Sequence, residues 1–406
     1  MALRITGVGE EIAAVAGLPW NQSLELWPED PHLTEKRGIS RHIVRLVRST
    51  NDPDSEVYAV KETVAEFANR EYKILRELKQ LDAPSVQSVA VVEGRTDNDG
   101  EELPCALVTR FLPYSLPYRV LLSGKDVTAE DVTLMANALA LLLVRLHLLG
   151  FWWGDCSLSN TLFRRDAEGY AAYLVDAETG EFQRSLSDGQ REHDLEIAFF
   201  NVAAELEDLQ LSGVLYEGMD PIRASEAVQR RYRRLWSALK DPKKLDPNDR
   251  HAVERAMREL HDLGFAVEEV QVSLDNETHM LSFQPRLVAA GYHSAKLKNR
   301  FGLDAQELQA KRILASFDRW YARQPNKTSK DEMAKEWLDT VFFKILDLIP
   351  ADLLGRVEKA QMFHEILENR WYMTEKAGYD VGLEVAAEAY INEILPLRMD
   401  SGVETE

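Results

Sequence analysis

Cysteine is almost missing: the 406-residue chain has two, Cys105 and Cys156. Two thiols cannot build a disulfide framework, and so thin a supply suits a reducing compartment. Basic residues are also short, 48 Lys and Arg against 68 Asp and Glu, a formal net charge of -20. A surface that negative repels nucleic acid and anionic membranes, so nucleic acid is not expected as a partner. Long apolar runs are lacking too. The richest, residues 138–144, is too short to cross a bilayer and is followed by Arg145, so no transmembrane segment is expected. The amino terminus carries Glu10 and Glu11 where a signal peptide needs an apolar run. A cytoplasmic location is the expectation, and there is no internal repeat or low-complexity tract.

What is present is patterned in blocks. Residues 42–47 and 56–61 read as strands joined by the turn formers of residues 49–54. Residues 64–81 read as a helix with Phe67, Glu71, Leu75 and Leu78 on one stripe. Residues 86–93 and 106–112 return to strand character. A long apolar helix then ends at Gly150, followed by a loop at 154–159 and a hairpin of 161–164 with 171–175. Residues 193–209 are predicted helical. Residues 248–263 and 304–321 read as helices around two strands, 265–272 and 278–283, and the last hundred residues read as helical. Residues 240–247, with Pro242 and Pro247, look like a linker.

Three polar residues give this frame a chemistry. Asp155 lies in the loop, Asn160 five residues on, and Asp176 ends an apolar strand sixteen residues further. Phosphoryl transfer asks for a group that orients the attacking hydroxyl, oxygen ligands for Mg²⁺ and a cation on the nucleotide phosphates. The D-x-x-x-x-N spacing of a kinase catalytic loop makes Asp155 the candidate base and the Asn160 amide oxygen a candidate magnesium ligand. Asp176 is the second candidate ligand. Each alone would more often be a loop, cap or turn residue. The three together, in this order, are far more specific.

The first block supplies an independent sign. Strand alternation puts Ala59 and Lys61 on one face, a small residue for a flat adenine and an ammonium for the phosphates. Glu71 falls within an apolar stripe, where a carboxylate is costly unless it meets a cation, and Lys61 is the candidate partner. Thr109 and Phe111 stand where a hinge would offer backbone bonds to adenine. Asp194 is either a brace for the catalytic loop or a helix N-cap.

The run Gly154-Asp155-Cys156-Ser157-Leu158-Ser159-Asn160-Thr161-Leu162-Phe163 is similar to the catalytic loop of lipopolysaccharide (Kdo/heptose) kinases and aminoglycoside-phosphotransferase-like enzymes. The similarity extends over roughly residues 35–240. Residues 364–372, with Gly378 and Gly382 behind them, resemble a domain of unknown function that follows such kinase-like domains in actinobacteria. The resemblance implies an α+β, protein-kinase-like bilobal fold with a mostly helical C-terminal domain. It divides the chain into an extension (1–34), a small lobe (35–113), a large lobe (114–243), an α-β-β-α region (248–322) and a helical domain (323–406).

The expected activity is transfer of the ATP γ-phosphate, with Mg²⁺, to a hydroxyl on a small molecule, glycan or protein. A catalytically silent nucleotide-binding scaffold and an AMP-transferring enzyme stay open beside it. The departures matter here. Trp153 stands where these families have His, Gly154 replaces the Arg of protein kinases, and Asp176-Ala177-Glu178 replaces D-F-G. The glycine-rich loop is reduced to Gly38-Ile39-Ser40-Arg41, leaving Ser40 and Arg41 as phosphate contacts. His364-Glu365 opens like a zinc-protease motif but meets Glu368 at the fifth position, so it reads as a solvated helix face. The C-terminal region is expected to serve acceptor selection, a protein partner or oligomerisation, with Trp337, Trp371 and Tyr372 as core or interface aromatics.

Overall fold

A computed structural model describes residues 2–7, 9, 11–28, 43–48, 55–123, 127–215, 218–241, 243–246, 249, 251–263, 265–274, 281–325 and 328–398. Ser40 and Arg41 lie outside the described residues. The chain divides into two compact units, Met1–Arg164 with Ala172–Tyr232, and Arg165–Ala171 with Arg233–Asp400.

The first unit opens with β1 (Arg4–Gly7), α1 (Glu11–Ala16), β2 (Val44–Arg48), β3 (Val57–Thr63), α2 (Ala65–Gln80), β4 (Gln87–Glu93) and β5 (Cys105–Arg110). The strands form one antiparallel sheet in the order β1-β4-β5-β3-β2. The first 34 residues, set apart in the sequence, supply an edge strand of this sheet. Trp20, Leu24 and Trp27 are buried beside Val60, Val89 and Val108. Buried Arg95 ties that segment down: it donates to Glu62 at 2.7 Å, to the Gln22 carbonyl at 2.6 Å and to the Pro104 carbonyl at 2.9 Å. The stripe on α2 also differs from the reading. Phe67 is 43% exposed, and the buried positions are Ala68, Glu71, Tyr72, Ile74, Leu75 and Leu78. Phe67 is one residue, or about 100° of helix, away from Ala68.

The unit continues with β6 (Ser115–Pro117), α3 (Tyr118–Leu121), α4 (Ala129–Leu148), β7 (Phe151–Trp152), β8 (Thr161–Asp166), β9 (Gly169–Leu174), β10 (Glu181–Phe182) and α5 (Asp188–Leu211). By length and composition α4 is apolar enough to span a membrane. Its Leu139, Leu142, Leu143 and Leu146 are buried inside the unit, which makes it a core helix here. Gly150, at φ +78°, lets the chain leave α4 toward β7 and the loop of residues 154–160. A Cβ there would stand 2.1 Å from the Gln183 carbonyl oxygen, so only glycine fits. α6 (Pro221–Lys240) starts in the first unit and ends in the second.

The second unit contains β11 (Lys243–Leu245), α7 (Ala252–Asp262), β12 (Phe265–Leu274), β13 (Leu281–Ala290), α8 (Tyr292–Phe301), α9 (Glu307–Ala322), α10 (Lys330–Trp337), α11 (Phe343–Leu346), α12 (Lys359–Ala377) and α13 (Leu383–Ala389). Where a linker is expected, β11 pairs antiparallel with β13. The regions 248–322 and 323–406 share one core, in which Phe301, Phe317, Trp337, Phe342 and Phe363 interlock with ring centroids 4.8 to 6.0 Å apart. Trp337 is thus a core residue, while Trp371 and Tyr372 are each 57% exposed.

The turn of the β8–β9 hairpin also belongs to this unit. Ala167 holds a left-handed conformation, φ +56°, that costs a residue with a Cβ. The Gln361 amide offsets that cost by accepting from the Ala167 N–H at 2.9 Å and donating to its carbonyl at 3.1 Å. The buried Asp166 carboxylate accepts from the Leu308 and Gln309 amides at 3.1 and 2.9 Å, at the start of α9. His364 and Glu365 are buried, against the expectation of a solvated face. Glu365 accepts from Gln361 at 3.0 Å, Tyr390 at 3.0 Å and Arg398 at 2.9 Å, so its burial is compensated. Gln361→Ala is expected to destabilise this unit by on the order of 3 kcal/mol, from unpaired turn groups and an unsupported left-handed alanine. Denaturant unfolding checks this, and an unchanged midpoint would show that the turn does not depend on Gln361.

Candidate active site

β3 and α2 bring the first pair together. Lys61 Nζ lies 2.6 Å from Glu71 and 3.2 Å from Asp176, with Glu178 at 3.8 Å. Glu71 is 1% exposed, so its charge has little water to solvate it. Burial pushes Glu71 up to about 7 against the pull of Lys61, and Asp176 adds to the rise. Burial also works against the Lys61 ammonium, yet Glu71, Asp176 and Glu178 outweigh it and hold the pKa above the ordinary lysine value. A lysine set among three carboxylates keeps its charge and is held at one place.

Glu71, Asp176 and Glu178 together could hold a metal ion by spacing, their ligand atoms lying within 4.8 Å of one another. The Lys61 ammonium already stands among these three. Glu71 makes the shortest contact with the lysine and is the most buried of the three, while Asp176 and Glu178 are about a quarter exposed, at 24% and 25%. Ala59 is partly buried on β3 and pairs with Thr109 on β5. The Phe111 N–H donates to the Val57 carbonyl at 3.0 Å, so the segment after β5 runs along β3.

The loop supplies the second group. Asn160 Nδ2 donates to Asp155 Oδ2 at 2.9 Å and to its carbonyl at 3.1 Å, leaving the amide oxygen of Asn160 for another partner. The Asn160 carbonyl accepts from Val175 at 3.0 Å, and Trp153 Nε1 donates to the Asp176 carbonyl at 3.0 Å. The loop and the strand end carrying Asp176 are thereby tied to each other. Gly154 adopts φ +76°, and a Cβ there would press within 3.0 Å of the Trp152 ring, which explains glycine in place of the arginine of protein kinases. Burial pushes the Cys156 thiol well up, which disfavours the thiolate.

Below the loop lies α5. Asp194 is fully buried seven residues into the helix, whose N-cap is Ser187, so the capping reading is set aside. Its carboxylate accepts from the Trp153 and Gly154 amides at 2.8 and 2.7 Å and from His147 Nε2 at 3.0 Å. His147 Nδ1 in turn meets the Tyr232 hydroxyl at 2.6 Å. Sequence reasoning missed two further residues on α5. Asn201 Nδ2 donates to Asp155 Oδ1 and to the Cys156 carbonyl, both at 3.2 Å. Glu205 accepts from the Leu158 and Ser159 amides at 2.8 and 2.9 Å. Burial raises the Glu205 carboxyl above its ordinary value although these partners pull it down.

The histidine brings a pH dependence. Burial draws His147 below its ordinary 6.5 against the opposing pull of Asp194. The unfolded chain takes up a proton at a pH where folded His147 is still neutral, so this share of stability is full above that range. It falls as pH drops through 6.5 toward the folded value. The melting temperature is expected to fall over that window, and less steeply in His147→Gln. Equal slopes in both proteins would rule out His147 as the cause.

Residues 56–216 match the model of the lipopolysaccharide kinase (Kdo/WaaP) family. That span is lipopolysaccharide-kinase-like. It takes in Lys61, Glu71, Asp155, Asn160 and Asp176, and the match supports a kinase-fold phosphotransferase. Residues 234–395 match a domain of unknown function, DUF4032. The lipopolysaccharide-kinase-like span and this second family together account for the α+β fold with a helical C-terminal region. Among solved structures, one titled "WaaP in complex with acyl carrier protein" matches with 17% identity and a TM-score of 0.36, covering 64% of this chain and 99% of that one. None of the curated proteins matches the chain.

Proposed function

We propose that the chain transfers the γ-phosphate of ATP to a hydroxyl acceptor. The observation that carries this reading is the placement of Lys61 between Glu71 and Asp176, at 2.6 and 3.2 Å. An ammonium anchored in this way is a ready partner for nucleotide phosphates. The Asp176 and Glu178 carboxylates and the free amide oxygen of Asn160 are hard oxygen donors, the type Mg²⁺ prefers. Asn160 and Asp176, with Glu178, would hold the ion, which when bound offsets charge on the phosphates.

The residues themselves do the following. Lys61 holds the phosphates, Ala59 leaves room for the flat base, and backbone near Thr109 and Phe111 meets its edge. Asp155 accepts the acceptor hydroxyl's proton as the oxygen bonds to the γ-phosphorus. The bond from that phosphorus to the bridging oxygen breaks, and ADP leaves with the electron pair. Asn160 keeps the Asp155 carboxylate beside the attacking oxygen.

The test is incubation with γ-labelled and α-labelled ATP, with and without Mg²⁺, first with water and then with cell extract as acceptor. The γ-label is expected to leave the nucleotide only with Mg²⁺, the α-label remaining in ADP. Transfer of the α-label would mean AMP transfer, and nucleotide binding without release of either label would mean a silent scaffold.

A further inference from the structure

We propose that Asn201 is a positioning residue for phosphoryl transfer, acting through Asp155. The inference deepens the phosphotransferase reading and rests on it. Asp194, Asn201 and Glu205 are spaced i, i+7 and i+11 on α5, which at 100° per residue puts them within about 40° of one another around the helix. Each meets a successive part of the catalytic loop. Asp194 takes the amides of Trp153 and Gly154, Asn201 takes Asp155 and Cys156, and Glu205 takes the amides of Leu158 and Ser159. One helix face thus serves as the template for the loop.

Of the three, Asn201 is the one that reaches the Asp155 side chain. Asp194 meets only backbone within the loop, and Glu205 meets backbone and the Ser159 side chain. The Asp155 carboxylate receives one N–H on each oxygen, from Asn201 on Oδ1 at 3.2 Å and from Asn160 on Oδ2 at 2.9 Å. Two donors, one per oxygen, fix the plane of the carboxylate. With one removed the group can turn about its terminal torsion, which for a carboxylate is broad. The second bond of Asn201, to the Cys156 carbonyl, anchors the amide so that it cannot follow such a turn. A base that must accept a proton along one direction loses rate when its lone pairs swing away. A misplacement near 1 Å costs roughly 100-fold. Lys61 and Asp176, which serve the nucleotide, have no contact with Asn201 among the described residues.

The experiment compares Asn201→Leu and Asn201→Ala with wild type, one filling the space of the amide and the other leaving it open. ADP release from Mg²⁺-ATP, with water as the hydroxyl, gives turnover, and nucleotide titration gives affinity. Both variants are expected to lose kcat by roughly 100-fold while ATP affinity stays within about twofold. In an Asp155→Asn background, Asn201→Leu is expected to remove no further activity, because the residue acts only through that carboxylate. Full kcat in a folded Asn201 variant overturns the proposal, as do losses that multiply in the double variant. A wild type that releases no γ-phosphate with either water or cell extract as acceptor defeats the phosphotransferase reading itself, and the role of Asn201 with it.

Discussion

Asp155→Asn is expected to lower turnover by about 10²- to 10⁴-fold, the usual range for removing a general base. ATP affinity should change little, because Asp155 touches Asn160 and Asn201, while the proposed phosphate-holding groups, Lys61 and Asp176, pair with each other. The variant also pays a structural cost. A carboxylate accepts from both asparagines, whereas an amide offers one oxygen and one NH₂ group, so one of the two contacts becomes donor against donor. That costs about 1–3 kcal/mol. The measurement is kcat from ADP release beside a nucleotide titration and a melting curve. A folded Asp155→Asn protein that keeps full turnover would remove Asp155 from the mechanism.

Asp176→Ala is expected to remove most of the rise in melting temperature that Mg²⁺-ATP produces. A ligand that binds only the folded chain at 100 times its Kd stabilises by about 2.7 kcal/mol, and loss of a magnesium ligand takes most of that away. Without nucleotide the variant should melt close to wild type. Lys61 keeps Glu71 at 2.6 Å, and the neighbouring charge that pushes Glu71 upward is gone. The Trp153 bond is made to the Asp176 carbonyl and survives the substitution. Thermal scans with Mg²⁺ alone, ATP alone and both separate a lost ligand from general damage. A nucleotide shift in the variant equal to that of wild type would end the metal assignment of Asp176.

The candidate site was readable because its parts are local. Asp155 and Asn160 sit five residues apart on one loop, and Asp176 ends the strand that returns from the next hairpin. Glu71 betrayed itself as a carboxylate in an apolar stripe, since burial of a charge demands a partner. The reading of that stripe was off by one position at Phe67, because exposure depends on what packs over a helix as well as on its period. Ser40 and Arg41 fall outside the described residues. Asn201 and Glu205 were missed altogether. Both lie on a helix of mixed polarity, where nothing in their neighbours distinguishes a loop brace from a solvated side chain. The spacing from Asp194 was the one signal that could have found them.

By itself the sequence determined which chemistry is available, through a loop aspartate, an asparagine at the right interval, a strand-end carboxylate and a lysine two residues after a small one. These follow from covalent spacing and from the periods of strand and helix, which act over a few residues. Only the tertiary structure decided which groups share a proton or a charge. It set Lys61 beside Asp176 as well as Glu71, put α5 beneath the loop of residues 154–160, drew the first residues into the sheet and buried Gln361 against the Ala167 turn. Apart from Lys61–Glu71, ten positions apart, those pairings join residues from 40 to 194 positions apart. No periodicity reaches that far, and they form because a buried polar group must find its partner wherever the folded chain brings one.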